Sequence, residues 1–369
     1  MFRQKLGLML MMSVGFCQCA IGQIDTTNTQ TEEEEDYSMY DNLDFVDEAA
    51  KRFAPAKIKG ISPAKLITVG YDWQGKYDIT AAGYTTNEGT FAEQTATVNS
   101  TQGLRLEANI PVISKNSLVV QVGARLWDIN YDFDNPTSLT NPLLTTLHNN
   151  DLASMGLNST IFKPLNEESF LLFQVAADMN GDYQFDDPQN FRYTKYSVAA
   201  LWGKRPTDYK QWAVGLSRTY RGGDLNYIPV VLFNWTSPTK KWGTEILFPA
   251  RAHVRYTVNP RNLLFFGYEA EGYSFRIGNQ GQARPDQDFD DLEIRRSELR
   301  FRLMYERQIK GFIWLSAQAG YRYNYSFNVD QIPDGEDFYR GFFGDQEFIQ
   351  ENELTNPLYV SFSINLVSP

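Results

Sequence analysis

Residues 313–329 constrain the fold of this chain more than any other stretch. Ile313, Leu315, Ala317, Ala319, Tyr321, Tyr323, Tyr325, Phe327 and Val329 share one phase of a period-two pattern. Ser316, Gln318, Gly320, Arg322, Asn324, Ser326 and Asn328 share the other. Side chains alternate across a strand, so this is one strand with an apolar face and a wet face. It is roughly three times the five or six residues usual in a soluble domain. A long strand that is apolar outside and polar inside is what a membrane barrel requires. The alternation recurs in residues 66–73, 104–112, 118–126 and 358–366, the last of which is placed to close a barrel against the first. After Leu126 the apolar phase moves to Trp127, Ile129, Tyr131 and Phe133, which predicts a bulge or emergence from the membrane.

The first residues point to export. Arg3 and Lys5 precede an apolar stretch, residues 6–16, and Ala20-Ile21-Gly22 puts small residues three and one positions before Gln23. That is the layout of a secretory signal peptide, with an apolar core too short to span a bilayer. Residues 1–22 are read as a leader cleaved after Gly22. Cys17 and Cys19, the only cysteines, leave with it, and neither has the small residues ahead of it that lipidation requires. The mature chain then has no thiol for a disulfide, a metal or a nucleophile. Losing Arg3 and Lys5 makes it two charges more negative than the −11 of the full sequence, so a basic footprint for nucleic acid is absent. No later stretch approaches the roughly 18 apolar residues of a membrane helix.

Residues 23–60 read as an acidic arm, because TTNTQTEEEED and the polar residues after it favour a solvated, largely disordered chain. Within it, residues 42–53 carry Phe45, Val46, Ala49 and Phe53 on one helical face, with Pro55 as a stop. Either a short docking helix or a loose tether fits, and the tether is the simpler expectation. Residues 61–369 form one barrel. Its short connections fall near 114–117, 163–168, 204–209, 237–241, 259–261 and 308–311, and its longer ones near 134–150, 180–190, 279–290 and 330–355. Membrane barrels have short periplasmic turns and longer outer loops, which puts the arm in the periplasm. Two short runs, 242–248 and 254–258, flank Pro249. If both cross, the barrel has fourteen strands; if they form a re-entrant piece, about twelve. Twelve is the expectation. Trp73, Trp127, Tyr131, Trp202, Trp212, Trp235, Trp242 and Tyr325 lie near strand ends and predict two aromatic girdles.

With these segments in view, the chain resembles the outer-membrane β-barrel families of Bacteroidota, many of them domains of unknown function. The resemblance rests on Ala20-Ile21-Gly22-Gln23, on residues 104–111 followed by a tight turn, and on residues 242–249 followed by Val254-Arg255-Tyr256. It covers about residues 60–369 and departs at Val367-Ser368-Pro369, which lacks a terminal aromatic. It implies an all-β, transmembrane, antiparallel up-and-down barrel in the Gram-negative outer membrane. Outer-membrane lipid and, during biogenesis, the barrel assembly machinery are the expected partners.

Chemistry is expected in the lumen. Glu298, Arg300, Arg302 and Glu306 oppose Leu299, Phe301, Leu303 and Tyr305 in phase, and Arg322, Glu269 and Glu271 have the polar phase on neighbouring strands. A charge facing lipid costs roughly 2–4 kcal/mol at the midplane for Arg, so Arg300, Arg302, Arg322, Glu298, Glu269 and Glu271 are lumen-lining candidates. Both signs occur in similar number, which predicts pairing rather than strong ion selectivity. Asp178, Asn180 and Asp182 match the first three oxygen ligands of a calcium loop, but Tyr183 and Gln189 stand where Gly and Glu are needed. Solvated acids are the simpler reading. His148 and His253 are isolated from any nucleophile motif, so no enzyme and no cofactor are expected. Two functions remain: a passive channel or transporter for small polar solutes, or a non-conducting barrel acting through its outer loops or acidic arm. The channel is preferred, because a bore of twelve strands exceeds what side chains easily fill.

Overall fold

The computed structural model describes residues 53–85, 90–183, 194–220, 226–277, 292–331 and 348–368. The strands are β1 (Lys65–Gln74), β2 (Tyr77–Ala81), β3 (Tyr84–Thr85), β4 (Thr90–Phe91), β5 (Gln94–Lys115) and β6 (Leu118–Phe133). A helix, α1 (Pro142–Asn150), precedes β7 (Leu152–Pro164), β8 (Ser169–Gly181), β9 (Lys195–Thr207), β10 (Lys210–Thr219), β11 (Asn226–Thr236) and β12 (Trp242–Phe248). Then come β13 (Arg251–Asn259), β14 (Asn262–Ile277), β15 (Leu292–Lys310), β16 (Ile313–Gln331), β17 (Glu353–Leu354) and β18 (Leu358–Val367). Each long strand pairs antiparallel with its neighbours in sequence, and β1 pairs with both β18 and β5. The result is a closed up-and-down barrel of fourteen strands: β1, β5 to β16 and β18. No helix among the described residues is long and apolar enough to cross a membrane.

Fourteen replaces the expected twelve, because β12 and β13 both join the wall. Trp242 to Leu247 pair with β13, and β12 pairs along its other edge with β11. Pro249 lies between the two strands, in the hairpin turn, where no ladder N–H is required. Sequence reasoning took that proline for a break in a crossing, and it is a corner.

The outward faces are apolar over a belt around the barrel. Ile67, Val69, Ile110, Val112, Leu157, Val175, Leu216, Phe266, Leu303, Tyr321, Phe362 and Ile364 are all exposed there. In a membrane these side chains meet lipid, and their exposure costs nothing. Trp73, Trp202, Trp235, Trp242 and Tyr325 are exposed as girdle residues should be. Trp127 and Tyr131 are buried, so they leave the girdle. Their strand has no bulge at Leu126, since β6 keeps one register with β7 from Val119 to Ile129. The inward face itself changes character, from Gln121 and Arg125 to Trp127, Ile129, Tyr131 and Phe133, while Asp128, Asn130 and Asp132 take the outward phase. A bulge does occur in β16. There Ser297 faces Ser326 but Glu298 faces Asn324, so Tyr325 is extra. Phe327 and Val329 are thereby turned inward and buried, which shortens the predicted lipid-facing run to Ile313 through Tyr325.

The end that carries the long connections has its own core. Tyr77, Ile79, Trp127, Ile129, Phe133, Leu143, Leu147, Phe275, Ile294 and Phe327 pack together there beneath α1. Asn141 caps α1 by accepting from the Leu143 N–H at 3.1 Å, and Pro142 supplies the preset first turn. The opposite, short-turn end is crossed by residues 53–64. The Ala54 N–H donates to Asn166 O (2.9 Å), the Lys59 N–H to Asp208 O (2.7 Å), and Ser62 N and Oγ to the Glu245 carboxylate (3.1 and 2.6 Å). Arg205 Nη1 donates to the carbonyls of Pro55 and Lys57 (3.1 and 2.8 Å). The Lys59–Asp208 pair, at 2.6 Å, raises the lysine above and holds the carboxyl below their ordinary ranges, through the hydrogen bond and the opposite charge. Residues 53–60 were assigned to a largely disordered arm; hydrogen bonds to the β7–β8 and β9–β10 hairpins fix them instead as a strap across this mouth. The predicted leader and the acidic block lie outside the described residues.

Candidate functional site: the lumen

All six lumen candidates point inward, in two groups. The first centres on Glu298. Arg300 Nε reaches its Oε1 at 2.6 Å, Arg296 Nε and Nη2 its Oε2 at 3.1 and 2.9 Å, and Arg322 Nε its Oε2 at 3.6 Å. Glu271 accepts two hydrogen bonds from Arg105 (3.0 and 2.9 Å) and forms an ion pair with Arg300 Nη2 (3.0 Å). Asp72 pairs with Arg105 and, at 3.6 Å, with Arg300. Arg322 also donates to Gln74. The planar guanidinium fork suits such shared carboxylates. Rings complete the packing: Trp127 lies 3.9 Å from Arg105 Cζ, Tyr77 4.7 Å from Arg322 Cζ and Tyr359 5.3 Å from Arg300 Cζ.

Arg296, Arg300 and Arg322 are no more than 2% exposed, and Trp127 and Tyr359 are similarly covered. A water-filled passage between these side chains would expose them. This level of the lumen is therefore a packed ionic plug, with the apolar core of the long-connection end next to it. Asp72, Arg105, Arg296 and Trp127 are members that sequence reasoning missed. Asp72 and Arg105 had a usable signal: each stands between apolar residues of opposite phase, Tyr71 and Trp73, and Leu104 and Leu106. Arg296 lies in a stretch buried on both faces, where alternation is silent.

Gly103 shows how tightly the plug is fitted. A Cβ there would collide with the Asp128 carbonyl and come within 3.2 Å of the Trp127 indole nitrogen. Gly103→Ala is expected to lower barrel stability by roughly 1–3 kcal/mol, the usual cost of overpacking. Urea titration of heat-modifiable gel mobility reads it, and an unchanged midpoint would mean that the β6 backbone at Asp128 yields without cost.

The second group is closer to the short-turn end. Arg302 pairs with Glu269 and donates to His253 Nε2 (3.2 Å) and Gln318 Oε1 (3.1 Å). Arg255 is held by Glu245 (3.0 Å) and Thr236 Oγ1 (3.1 Å), and Lys65 by Glu306 (2.6 Å). Of these, Lys65, Glu245, His253, Glu269, Arg302, Glu306 and Gln318 border a cavity of about 1260 Å³. Across it, β8, β9 and β11 present Leu172, Ala199, Leu201, Ile228, Val230 and Leu232. One wall of the lumen is charged, and the facing wall mixes these aliphatic side chains with the uncharged polar Gln174, Ser197, Ser217 and Thr219.

The three calcium candidates are not brought together. Asp178 and Asn180 lie on β8, not on a loop, and Asp182 follows that strand. Asp178 pairs with Arg125 (2.9 Å), Asn180 Oδ1 accepts from Ser154 Oγ (2.6 Å) and Asp182 Oδ2 from Asn150 Nδ2 (3.0 Å). Among the described residues no group of three or more acidic, histidine or cysteine side chains is placed to hold a metal. Strand geometry replaces the loop reading: Asp178 and Asn180 stand in the β7–β8 ladder, and their oxygens are taken by Arg125 and Ser154. Asp186 and Asp187, which could add oxygens to such a loop, and the second acidic stretch of Asp286, Asp288, Asp290 and Asp291 lie outside the described residues. His148 packs edge-on against Phe133, with ring centroids 6.0 Å apart, and His253 accepts from Arg302.

No protein-family model matches the sequence, and no curated protein does. Among solved structures, the barrel is similar to an outer membrane channel from Pseudomonas putida F1, at 15% identity and a TM-score of 0.35, over 84% of this chain and 98% of that one. It is also similar to a Pseudomonas aeruginosa FadL homologue, at 8% identity and a TM-score of 0.37, over 84% and 91% of the two chains. A third likeness is to the P. putida toluene transporter TodX, at 8% identity and a TM-score of 0.29, over 83% and 90%.

Proposed function

We propose that this protein is an outer-membrane channel or transporter that receives its solute in the lumenal cavity rather than along a straight column of water. The single observation behind this reading is the cavity of about 1260 Å³ beside the ionic plug. A barrel serving only as a scaffold has no use for a space of that size, and ligand sites of roughly 300–1,000 Å³ are typical of proteins that bind small molecules. The short turns and the strap at 53–64 belong on the periplasmic side in this reading, and the plug and the apolar core face outward. The non-conducting alternative draws its support from the plug alone. It leaves the cavity unexplained.

Planar-bilayer recording tests the proposal. The wild-type barrel is expected to give no large steady conductance, because the plug closes the axis. Arg300→Ala combined with Glu271→Ala, which removes one cation and one anion, is expected to open steps at least several-fold larger. Large steady steps in the wild type, or a double variant as silent as the wild type in a barrel verified to be folded, would count against it.

A further inference from the structure

The outward face of the barrel is not uniform around its short-turn end. Of the seven tryptophans, Trp73 stands toward the long-connection end, Trp127 belongs to the plug and Trp314 is buried on the inner side. The other four, Trp202, Trp212, Trp235 and Trp242, gather on the consecutive strands β9 to β12, close to their short turns. The Trp202 and Trp212 rings meet nearly at a right angle, with centroids 5.7 Å apart, and Trp242 packs on Tyr256 at 4.7 Å. Trp202, Trp235 and Trp242 are exposed. Farther up the wall the same face turns aliphatic, with Val198, Val214, Leu216 and Val231 exposed on it.

Lysines stand among these rings. Lys204 Nζ lies 5.9 Å from the centre of the Trp202 ring and Lys210 Nζ 5.7 Å from that of Phe233, within reach of the attraction between a cation and a ring face. Lys204 is also the direct cross-strand neighbour of Trp212, and Lys210 that of Trp235. Lys240 and Lys241 end the β11–β12 hairpin immediately before Trp242. Lys240 has a φ of 57°, a left-handed backbone that glycine or asparagine adopts more readily, so a basic side chain is kept there against local preference. Carboxylates do not neutralise this group. Asp208 is committed to Lys59 (2.6 Å) and Arg205 (3.4 Å), and Glu245 to Ser62 and Arg255. Among the described residues, no acid lies within ion-pair distance of Lys204, Lys210, Lys240 or Lys241. Four unneutralised cations thus share one side of a chain whose net charge is −11.

From the turns toward the middle of the wall, this surface passes from cationic and aromatic to aliphatic. A membrane lipid has the same order, from phosphate through the ester zone to acyl chains. Indoles favour the headgroup zone, and the long apolar stem of a lysine lets its ammonium reach the phosphates. We propose that the short-turn end of β9 to β12 is a binding site for an anionic phospholipid of the adjoining leaflet. Lys204, Lys210, Lys240 and Lys241 hold its phosphate, the indoles flank its ester zone, and its acyl chains lie on Val198, Val214, Leu216 and Val231. A free phosphate ion or the acidic arm of this chain would meet the same cations, but neither makes use of the aliphatic strip beside them.

Quenching of tryptophan fluorescence by brominated lipid tests the site, because its own indoles report which lipid touches them. The full-length protein, carrying Trp73→Phe to remove the exposed indole outside the patch, is placed in phosphatidylcholine vesicles. Dibrominated phosphatidylglycerol is expected to bind roughly fivefold or more tightly than dibrominated phosphatidylcholine, the gain that one basic side chain near a membrane surface supplies. Lys204→Gln, Lys210→Gln, Lys240→Gln and Lys241→Gln together should abolish that preference. Lys115→Gln with Lys310→Gln, on turns that carry no tryptophan, should leave it unchanged. If the fourfold variant does not fold, as judged by gel mobility, the pairs Lys204 with Lys210 and Lys240 with Lys241 carry the test, each lowering the preference. Equal binding of the two lipids by the wild type would overturn the proposal, and so would an equal loss in the Lys115 and Lys310 variant. Displacement of the charged lipid by inorganic phosphate would overturn it in favour of a simple ion site. A preference that appears only after Glu32, Glu33, Glu34 and Glu35 are changed to glutamine would overturn it in favour of the acidic arm as occupant.

Discussion

Glu298→Gln is expected to remove roughly 3–5 kcal/mol of barrel stability, the range seen when one partner of a buried ion pair is lost. Three guanidiniums, Arg296, Arg300 and Arg322, share this carboxylate, and all are buried. The plug holds four arginines against Asp72, Glu271 and Glu298, so it already has one cation in excess. Neutralising Glu298 doubles that excess where water cannot compensate. Arg322 is the most vulnerable member, because its Nη2 has no hydrogen-bond partner among the described residues. The urea midpoint of heat-modifiable mobility should fall sharply, or the folded band should be lost. The double variant Glu298→Gln with Arg322→Gln restores the original net charge and should recover part of the loss. A midpoint for Glu298→Gln equal to the wild type would show that the plug is hydrated and open.

Leu303→Arg is expected to hinder insertion by roughly 2–4 kcal/mol near the bilayer midplane. Leu303 lies between Phe301 and Tyr305 on the lipid-facing side of β15 and is 57% exposed. An arginine there has no partner and no water. Its neighbour in sequence gives the contrasting result. Arg302 faces the cavity, and its partner Glu269 keeps partial access to solvent. Arg302→Ala is expected to leave the barrel folded at a cost of roughly 1–3 kcal/mol, the range for losing hydrogen bonds to a charged group that solvent only partly reaches. Heat-modifiable mobility after refolding into detergent or vesicles compares the two. A normal Leu303→Arg barrel together with an unfolded Arg302→Ala barrel would mean that the faces are reversed, and every lumen assignment would fall with them.

How much was legible follows from what alternation can encode. The phases of β15 and β16 separate Leu303 from Arg302 and Tyr321 from Arg322, and the structure keeps both separations. The pattern broke in two places. Tyr325 is an extra residue whose bulge turns Phe327 and Val329 inward, and one residue of register moves every later side chain to the other face. In β6 the register is intact, but the medium outside the strand changes from lipid to water while the inside changes from polar lumen to apolar core. A shift of phase in the sequence therefore has two physical causes, and the residues of one strand do not tell them apart. Pro249 posed a similar ambiguity, because a proline between two short apolar runs suits a broken crossing and a hairpin corner equally.

Alternation is a local property set by strand geometry, so it carries the barrel and, away from bulges and strand ends, the side of the wall on which each side chain stands. It also determined that both signs of charge stand on the inner face. Which charges meet is a matter of the closed sheet. Arg105 reaches Glu271 across 166 positions of sequence, and Asp72 shares Arg300 from the first strand of the barrel. Those meetings depend on strand number, tilt and stagger, which are properties of the closed sheet as a whole. The same global geometry sets the height of each strand in the wall. That is why the seven residues of β12, too few to read as a crossing in the sequence, take their place in the wall only once the sheet has closed.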